Sequence, residues 1–177
     1  MVKKMSKFLA YILFFLLAFI YFSPKIALYY MAEKELSKFD VVISNEIVKD
    51  SGFSLELEDA SLYVKSIESA QAKETSLTLL GVYNTLNVKD IKLSSAVGAF
   101  LPLNIYVIDA SYMLFNPLNV TVSAEGEFGE MKASFNILEK LLHVEIYPSS
   151  LMLQKYKSSL REFNKNEDGS YSYDKNF

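Results

Sequence analysis

The chain of 177 residues contains no cysteine and one histidine. Without cysteine there is no disulfide, no thiol nucleophile, no Fe–S cluster and no thiolate zinc site. His143 lies between Leu142 and Val144 in an alternating stretch. Metal sites and activated nucleophiles both need several convergent groups, so a lone imidazole on a strand reads as a solvent-facing residue. Glycine is scarce, and the six at 52, 81, 98, 126, 129 and 169 form neither a phosphate loop nor a dinucleotide fingerprint. A G-x-S-x-G elbow is missing, and the one S-x-x-K spacing, Ser172 to Lys175, falls in the C-terminal tail. No catalytic, cofactor-binding or metal-ligating residue is assigned, and no cofactor is expected. A basic excess is absent too. Of 18 lysines and arginines, Lys3, Lys4, Lys7 and Lys25 flank one apolar segment, so the other 14 face 21 acids downstream. That balance excludes a nucleic-acid binder by charge and gives the downstream part no electrostatic pull toward anionic lipid, so it is expected to stand off the membrane.

The acids gather at Glu56, Glu58 and Asp59 and at Glu125, Glu127 and Glu130. Calcium loops need oxygen ligands at fixed short spacings closed by a bidentate acid, which neither group offers, so both read as solvated carboxylates beside turns. Asn119-Val120-Thr121 is formally a glycosylation sequon inside a strand pattern.

What the chain does have is a run without charge, FLAYILFFLLAFIYF at residues 8–22, followed by SPK and a second apolar stretch, IALYYMA. Fifteen residues rise only about 22 Å against a hydrocarbon core of about 30 Å. A helix continued through Tyr29 restores the span, with Lys7 reaching the interface and Tyr21, Tyr29 and Tyr30 in an aromatic belt. A cleaved signal peptide would need a small-x-small site after the run, and Phe22-Ser23-Pro24-Lys25 does not supply one. The lysines preceding the run place the N-terminus in the cytoplasm. The expected layout is a cytoplasmic tip at residues 1–7, a transmembrane anchor at 8–31, a stalk helix at 32–39 and one periplasmic β-rich domain at 40–177.

Beyond Asp40 the period becomes two. Phe53, Leu55 and Leu57 alternate with polar neighbours, as do Leu62 and Val64, Leu77 and Leu79, Leu86 and Val88. Leu118, Val120 and Val122, then Leu142, Val144 and Ile146, continue the pattern. Short alternating strands with few long gaps imply an antiparallel sheet, a curved meander or jelly roll, with one covered and one wet face. Val120, Val122, Val144 and Ile146 are expected to share the inward face. Turns are expected at Asp59-Ala60, Asn84-Thr85 and Glu125-Gly126-Glu127. Residues 101–108, LPLNIYVI, read as a central strand covered on both faces. After Pro148 a serine can cap an amphipathic helix carrying Leu153, Tyr156, Leu160 and Phe163, and residues 169–173 read as a last strand.

SLELEDASLYVKSIES, LNVKDIKLSS and VTVSAEGEFGEMKASFNI, with the ending YPSSLMLQKYKSSLREFNKNEDGSYSYD, resemble type II secretion system protein N and its AsmA-like relatives. The resemblance spans about two thirds of the chain and lies in the texture of repeated strand pairs. It implies a non-enzymatic accessory or scaffold subunit of a secretion, pilus or DNA-uptake machine, anchored in the inner membrane by one helix, with its domain in the periplasm. The partners implied are that membrane and protein subunits of the machine, with lipid as a further one and no nucleic acid. The alternative is a lipid or lipopolysaccharide carrier similar to lipopolysaccharide-export protein C, which has one anchor and a grooved β-jellyroll. The scaffold reading rests on the apolar positions being no more than a core of this size requires.

Overall fold

The computed structural model describes residues 2–177, with side chains from Met5 onward. Leucine, phenylalanine and alanine with no internal proline or glycine give α1, Val2–Tyr21. Its large side chains lie open on every side, Phe14 at 72 % exposure, so the described fold does not cover its apolar surface. Pro24 has no N–H to give and restricts Ser23, so the chain breaks and resumes as α2, Lys25–Ser37, bent by 53°. The single helix expected over 8–31 is therefore two. Neither alone is long and apolar enough to cross a membrane, although the bent pair meets that condition by length and composition. The expected stalk is also corrected. Instead of standing free, α2 lies against the first three strands with Tyr29 buried and its hydroxyl donating to Glu46 Oε1 at 2.9 Å, so Tyr29 is not an interfacial residue.

Eleven strands follow: β1 (Val41–Ser44), β2 (Ile47–Asp50), β3 (Ser54–Val64), β4 (Ile67–Leu79), β5 (Tyr83–Leu93), β6 (Asn104–Met113), β7 (Asn119–Gly126), β8 (Gly129–Asn136), β9 (Leu141–Pro148), β10 (Asn164–Lys165) and β11 (Tyr171–Asn176). They make one antiparallel sheet in the order β1-β3-β4-β5-β6-β7-β8-β9-β11-β10, with β2 beside β1 on β3. From β3 to β9 each strand pairs with its successor, which is a meander; the crossovers of a jelly roll are absent.

The turns sit where backbone chemistry allows them. Lys65 and Ser66 both have positive φ, 51° and 64°, the two-residue hairpin geometry that matches strand twist. Asn84 is not a turn residue but lies in β5; the turn is Leu80-Gly81-Val82, where the Gly81 amide donates to Asn84 Oδ1 at 3.1 Å. The β7–β8 turn is Glu127-Phe128, slightly later than expected, between the paired Gly126 and Gly129. A Cβ on Gly129 would lie 2.1 Å from the Tyr147 carbonyl oxygen, so this corner requires glycine.

Asp59-Ala60 is the instructive correction, because β3 runs straight through it. Asp59 (φ 57°) and Asp90 (φ 51°) adopt left-handed backbone, which aspartate tolerates better than most residues. No ladder partner joins Asp59 to Lys73, Lys73 to Asp90, or Asp90 to Tyr106, while the pairs on both sides are in register. The next pairing, β6 with β7, shifts register at Tyr106. These four residues form a crease across four strands at which the apolar phase moves by one, from Leu57 to Ala60 on β3 and from Val88 to Ile91 on β5.

Residues 101–103 precede β6 instead of belonging to it, and β6, although central, has Asn104, Tyr106 and Asp109 exposed. The C-terminal helix is shorter than its spacing suggested. Ser149 Oγ accepts from the Met152 amide at 3.1 Å and caps α3, Ser150–Lys155; a 3-10 turn, Lys157–Leu160, replaces the rest. Met152 and Leu160 are buried, whereas Leu153 faces out. Residues beyond 163 turn into β10 and then β11, which starts at Tyr171, two residues later than the expected final strand, and runs on to Asn176.

Candidate functional site: the apolar face of the sheet

Register gathers the alternating residues of the sequence into rows across the strands. One row reads Leu55, Leu77, Leu86, Ala110, Val122, Ala133, Val144 and Tyr173, each opposite the next. A second, two residues along each strand, is Leu57, Thr75, Val88, Ile108, Ala124, Met131, Ile146 and Tyr171. A third is Leu79, Asn84, Tyr112, Val120, Phe135 and Leu142. Val120, Val122, Val144 and Ile146 thus share one face. The other face is as uniform: Glu56, Ser76, Asn87, Asp109, Ser123, Lys132, Glu145 and Ser172 form a wholly polar row. The first two apolar rows cross eight strands, seven gaps of about 4.8 Å, or roughly 34 Å.

The apolar face is covered only at its ends. Beside β1–β3, α2 closes Tyr29, Leu55 and Leu57 into a small cluster with Ile43, Val48 and Leu77. At the other side α3, the 3-10 turn and the 94–103 connection close a larger one around Ala124, Phe128, Ile146, Met152, Leu160 and Tyr171, with Leu101 and Ile105 against it. Between them Leu86, Val88, Ala110, Tyr112, Val120, Val122, Ala133, Phe135 and Leu142 are only half-buried. An apolar track crosses the middle of the sheet with none of the described elements packed over it.

The polar face is a field of short hydrogen bonds with a shallow cavity of about 550 Å³ lined by Asp109, Ser111, Thr121, Lys132, Ser134 and His143 among others. Asn87 Nδ2 donates to Asp109 Oδ1 at 2.6 Å, and the Ser111 and Thr121 hydroxyls lie 2.8 Å apart. Lys49 meets Glu58 at 2.6 Å, and that carboxylate holds the ammonium above the usual lysine range. The acidic group at residues 56–59 is therefore in mid-strand on this face, not beside a turn. In the second group Glu127 does sit in a turn, accepting from Asn104 Nδ2 at 2.8 Å. Among the described residues no three histidine, aspartate or glutamate side chains are placed to hold a metal ion.

His143 points to solvent as expected, and its Nδ1 lies 2.7 Å from Asp174 Oδ1, a pairing across 31 residues that no local pattern signals. Ser134 stands opposite His143 on the next strand, giving the order aspartate, histidine, serine. Side-chain exposures of 48 % and 59 % leave the His143–Asp174 pair in water. No hydrogen bond among the described residues joins it to Ser134, so the closed nucleophile–base contact of acyl transfer is missing. Ser172 and Lys175 lie in β11, not in a loose tail, and Ser172 Oγ donates to Asn166 Oδ1 at 3.1 Å.

No family model, no curated protein and no solved structure matches this chain.

Proposed function

We propose that the chain is a membrane-anchored, non-enzymatic lipid-handling protein of the bacterial inner membrane, with α1 in the bilayer and the sheet in the periplasm offering its apolar track to acyl chains. The observation that carries this reading is the uncovered middle of the apolar face. That uncovered middle weighs against the premise of the scaffold reading, that these side chains are used up in a core. An acyl chain laid along the uncovered middle of the rows would be removed from water at about 0.8 kcal/mol per methylene, and an uncovered apolar strip between two closed clusters supports a binding surface.

The scaffold subunit of a secretion or pilus machine remains a second reading because of one edge. β10 covers only Tyr171 and Ser172 of β11, so residues 173–176 present an outer side with no strand on it among those described, the geometry a partner's strand can extend.

Photo-crosslinking residues placed at Val122 and at Thr121, neighbours on opposite faces, separate the two in cells. Lipid adducts from Val122 and not from Thr121, with phospholipid retained in native mass spectra of the full chain, are the expected result. Absence of lipid at both positions, with protein adducts from Tyr173, would replace the carrier by the scaffold.

A further inference from the structure

We propose that the end of the sheet next to α1 is a membrane-docking rim whose occupant is the bilayer interface. The inference rests on the reading that α1 enters the bilayer. α1 ends at Tyr21, whose ring meets Phe53 edge-on at 5.3 Å and lies where a Cβ on Gly52 would stand, 2.2 Å from its Cε2. Asp50, in the same corner, is 3.8 Å from Lys25 Nζ. The anchor is thus fixed to the β2–β3 turn, and the meander brings every second connection to that same end: Leu80–Val82, 114–118 and 137–140, together with the C-terminus, whose Phe177 amide donates to the Lys140 carbonyl.

These connections would ordinarily be polar. Here they expose Val82, Leu114, Phe115 (89 %), Leu138 (71 %) and Phe177, in line with Phe53 under the helix. The opposite end carries Asp40, Lys65-Ser66, Ser94-Ser95 and Glu127, although Phe39 (75 %), Ile67 and Phe100 are exposed there as well. One end of the sheet is therefore apolar at each connection, and it is the end to which the apolar helix is attached. Aromatic and aliphatic tips of this kind enter the headgroup and acyl boundary without requiring an excess of basic charge, which the domain lacks. The third apolar row, Leu79 to Leu142, is the row nearest these turns. Docking would seat the open track on the outer leaflet, so that a lipid passes from bilayer to sheet without crossing water.

Because the chain has no cysteine, single labels can be placed cleanly. Phe115→Cys, Leu138→Cys, Ser66→Cys and Phe14→Cys, each spin-labelled in the full chain and reconstituted in phosphatidylethanolamine–phosphatidylglycerol vesicles, are compared for accessibility to oxygen and to a water-soluble relaxant. Labels at 115 and 138 are expected to be at least threefold more oxygen-accessible relative to the polar relaxant than the label at 66, with 14 deeper still. A lipid-embedded label at 14 with water-exposed labels at 115 and 138 would overturn the rim alone. A water-exposed label at 14 would overturn the anchor and the rim together.

Discussion

Replacing Lys25 by methionine tests whether the bend between the helices is a built joint. The lysine is fully buried, and its Nζ donates toward the carbonyl oxygens of Ile20 at 3.1 Å, Tyr21 at 3.1 Å and Ser23 at 3.4 Å. The end of α1 leaves carbonyls without helical partners and carries the negative end of the helix dipole, so one ammonium answers both. Methionine keeps the stem and removes the charge. Hydrogen bonds to a charged group contribute about 1.5–3 kcal/mol. Asp50 adds little to this, since it is partly hydrated and still accepts from the Gly52 amide at 2.9 Å. The expected loss is about 2–3 kcal/mol, which in a chain of this size lowers Tm by roughly 5–10 °C. Lys38→Met is the control, because its contact with Glu35 is exposed on both sides and worth at most about 1 kcal/mol. Circular dichroism melts of the full chain in detergent give the comparison, and amide exchange at Tyr21 and Phe22 locates the change. Equal shifts for the two variants would refute the joint.

Two further outcomes follow from the faces of the sheet and from one turn. Ile146→Asp strands a carboxylate in the covered cluster and should cost several kcal/mol, Val122→Asp on the open track roughly 1 kcal/mol and Thr121→Asp on the polar face under about 0.5 kcal/mol; urea melts giving equal costs at 146 and 122 would mean that the track is covered. Asp168 Oδ1 accepts from the Ser170 hydroxyl at 2.7 Å and amide at 3.0 Å, which holds its carboxyl below the usual range. Since the folded value is the lower one, the turn's added stability is present above the ordinary carboxylate pKa, about 3.9, and is lost as pH falls through the folded value. An NMR titration of Asp168 should show this depression partly relieved in Ser170→Ala, which keeps the amide donor and loses the hydroxyl, and an unchanged titration in that variant would contradict it.

Alternation made the strands and their faces readable, because period two with polar neighbours has few other meanings. What alternation could not say is whether a break in phase ends a strand. Leu57 to Ala60 looks like a turn in sequence, since a turn and a crease both insert one out-of-phase residue; only the partner strands, with Lys73, Asp90 and Tyr106 opposite in turn, reveal a crease. The C-terminal helix failed for a related reason. Leu153, Tyr156, Leu160 and Phe163 have helical spacing, but Tyr156 turns to φ −118°, the chain tightens to a 3-10 turn, and Met152 takes the buried position. Pro24 is visible as a break in the sequence, but the length of a single span requires a helix that continues past it. The rows themselves, and the His143–Asp174 contact, depend on register between strands, which one sequence does not record.

Side-chain size along the rows bears on what the open track accepts. Where the two end clusters close, the residues are large: Leu55, Leu57 and Tyr29 on one side, Met152, Leu160 and Tyr171 on the other. Across the middle the first row places Ala110 and Ala133 between Leu86, Val122 and Val144. A rigid protein cover is held best by large anchors seated in pockets, and aromatic residues dominate such contacts. The stretch Ala110, Val122 and Ala133 is a low floor with few anchors of that kind, bordered by Leu86, Tyr112, Phe135 and Leu142, and it presents apolar surface to a flexible chain that adapts its own shape. Replacing Ala110 and Ala133 by leucine would add apolar area while raising the floor, so tighter protein contact and weaker lipid retention are opposite expectations of the two readings from the same change. Native mass spectrometry of that double variant therefore distinguishes them: reduced phospholipid occupancy with the sheet still folded favours the track, and undiminished occupancy would remove size selection along the rows as its basis.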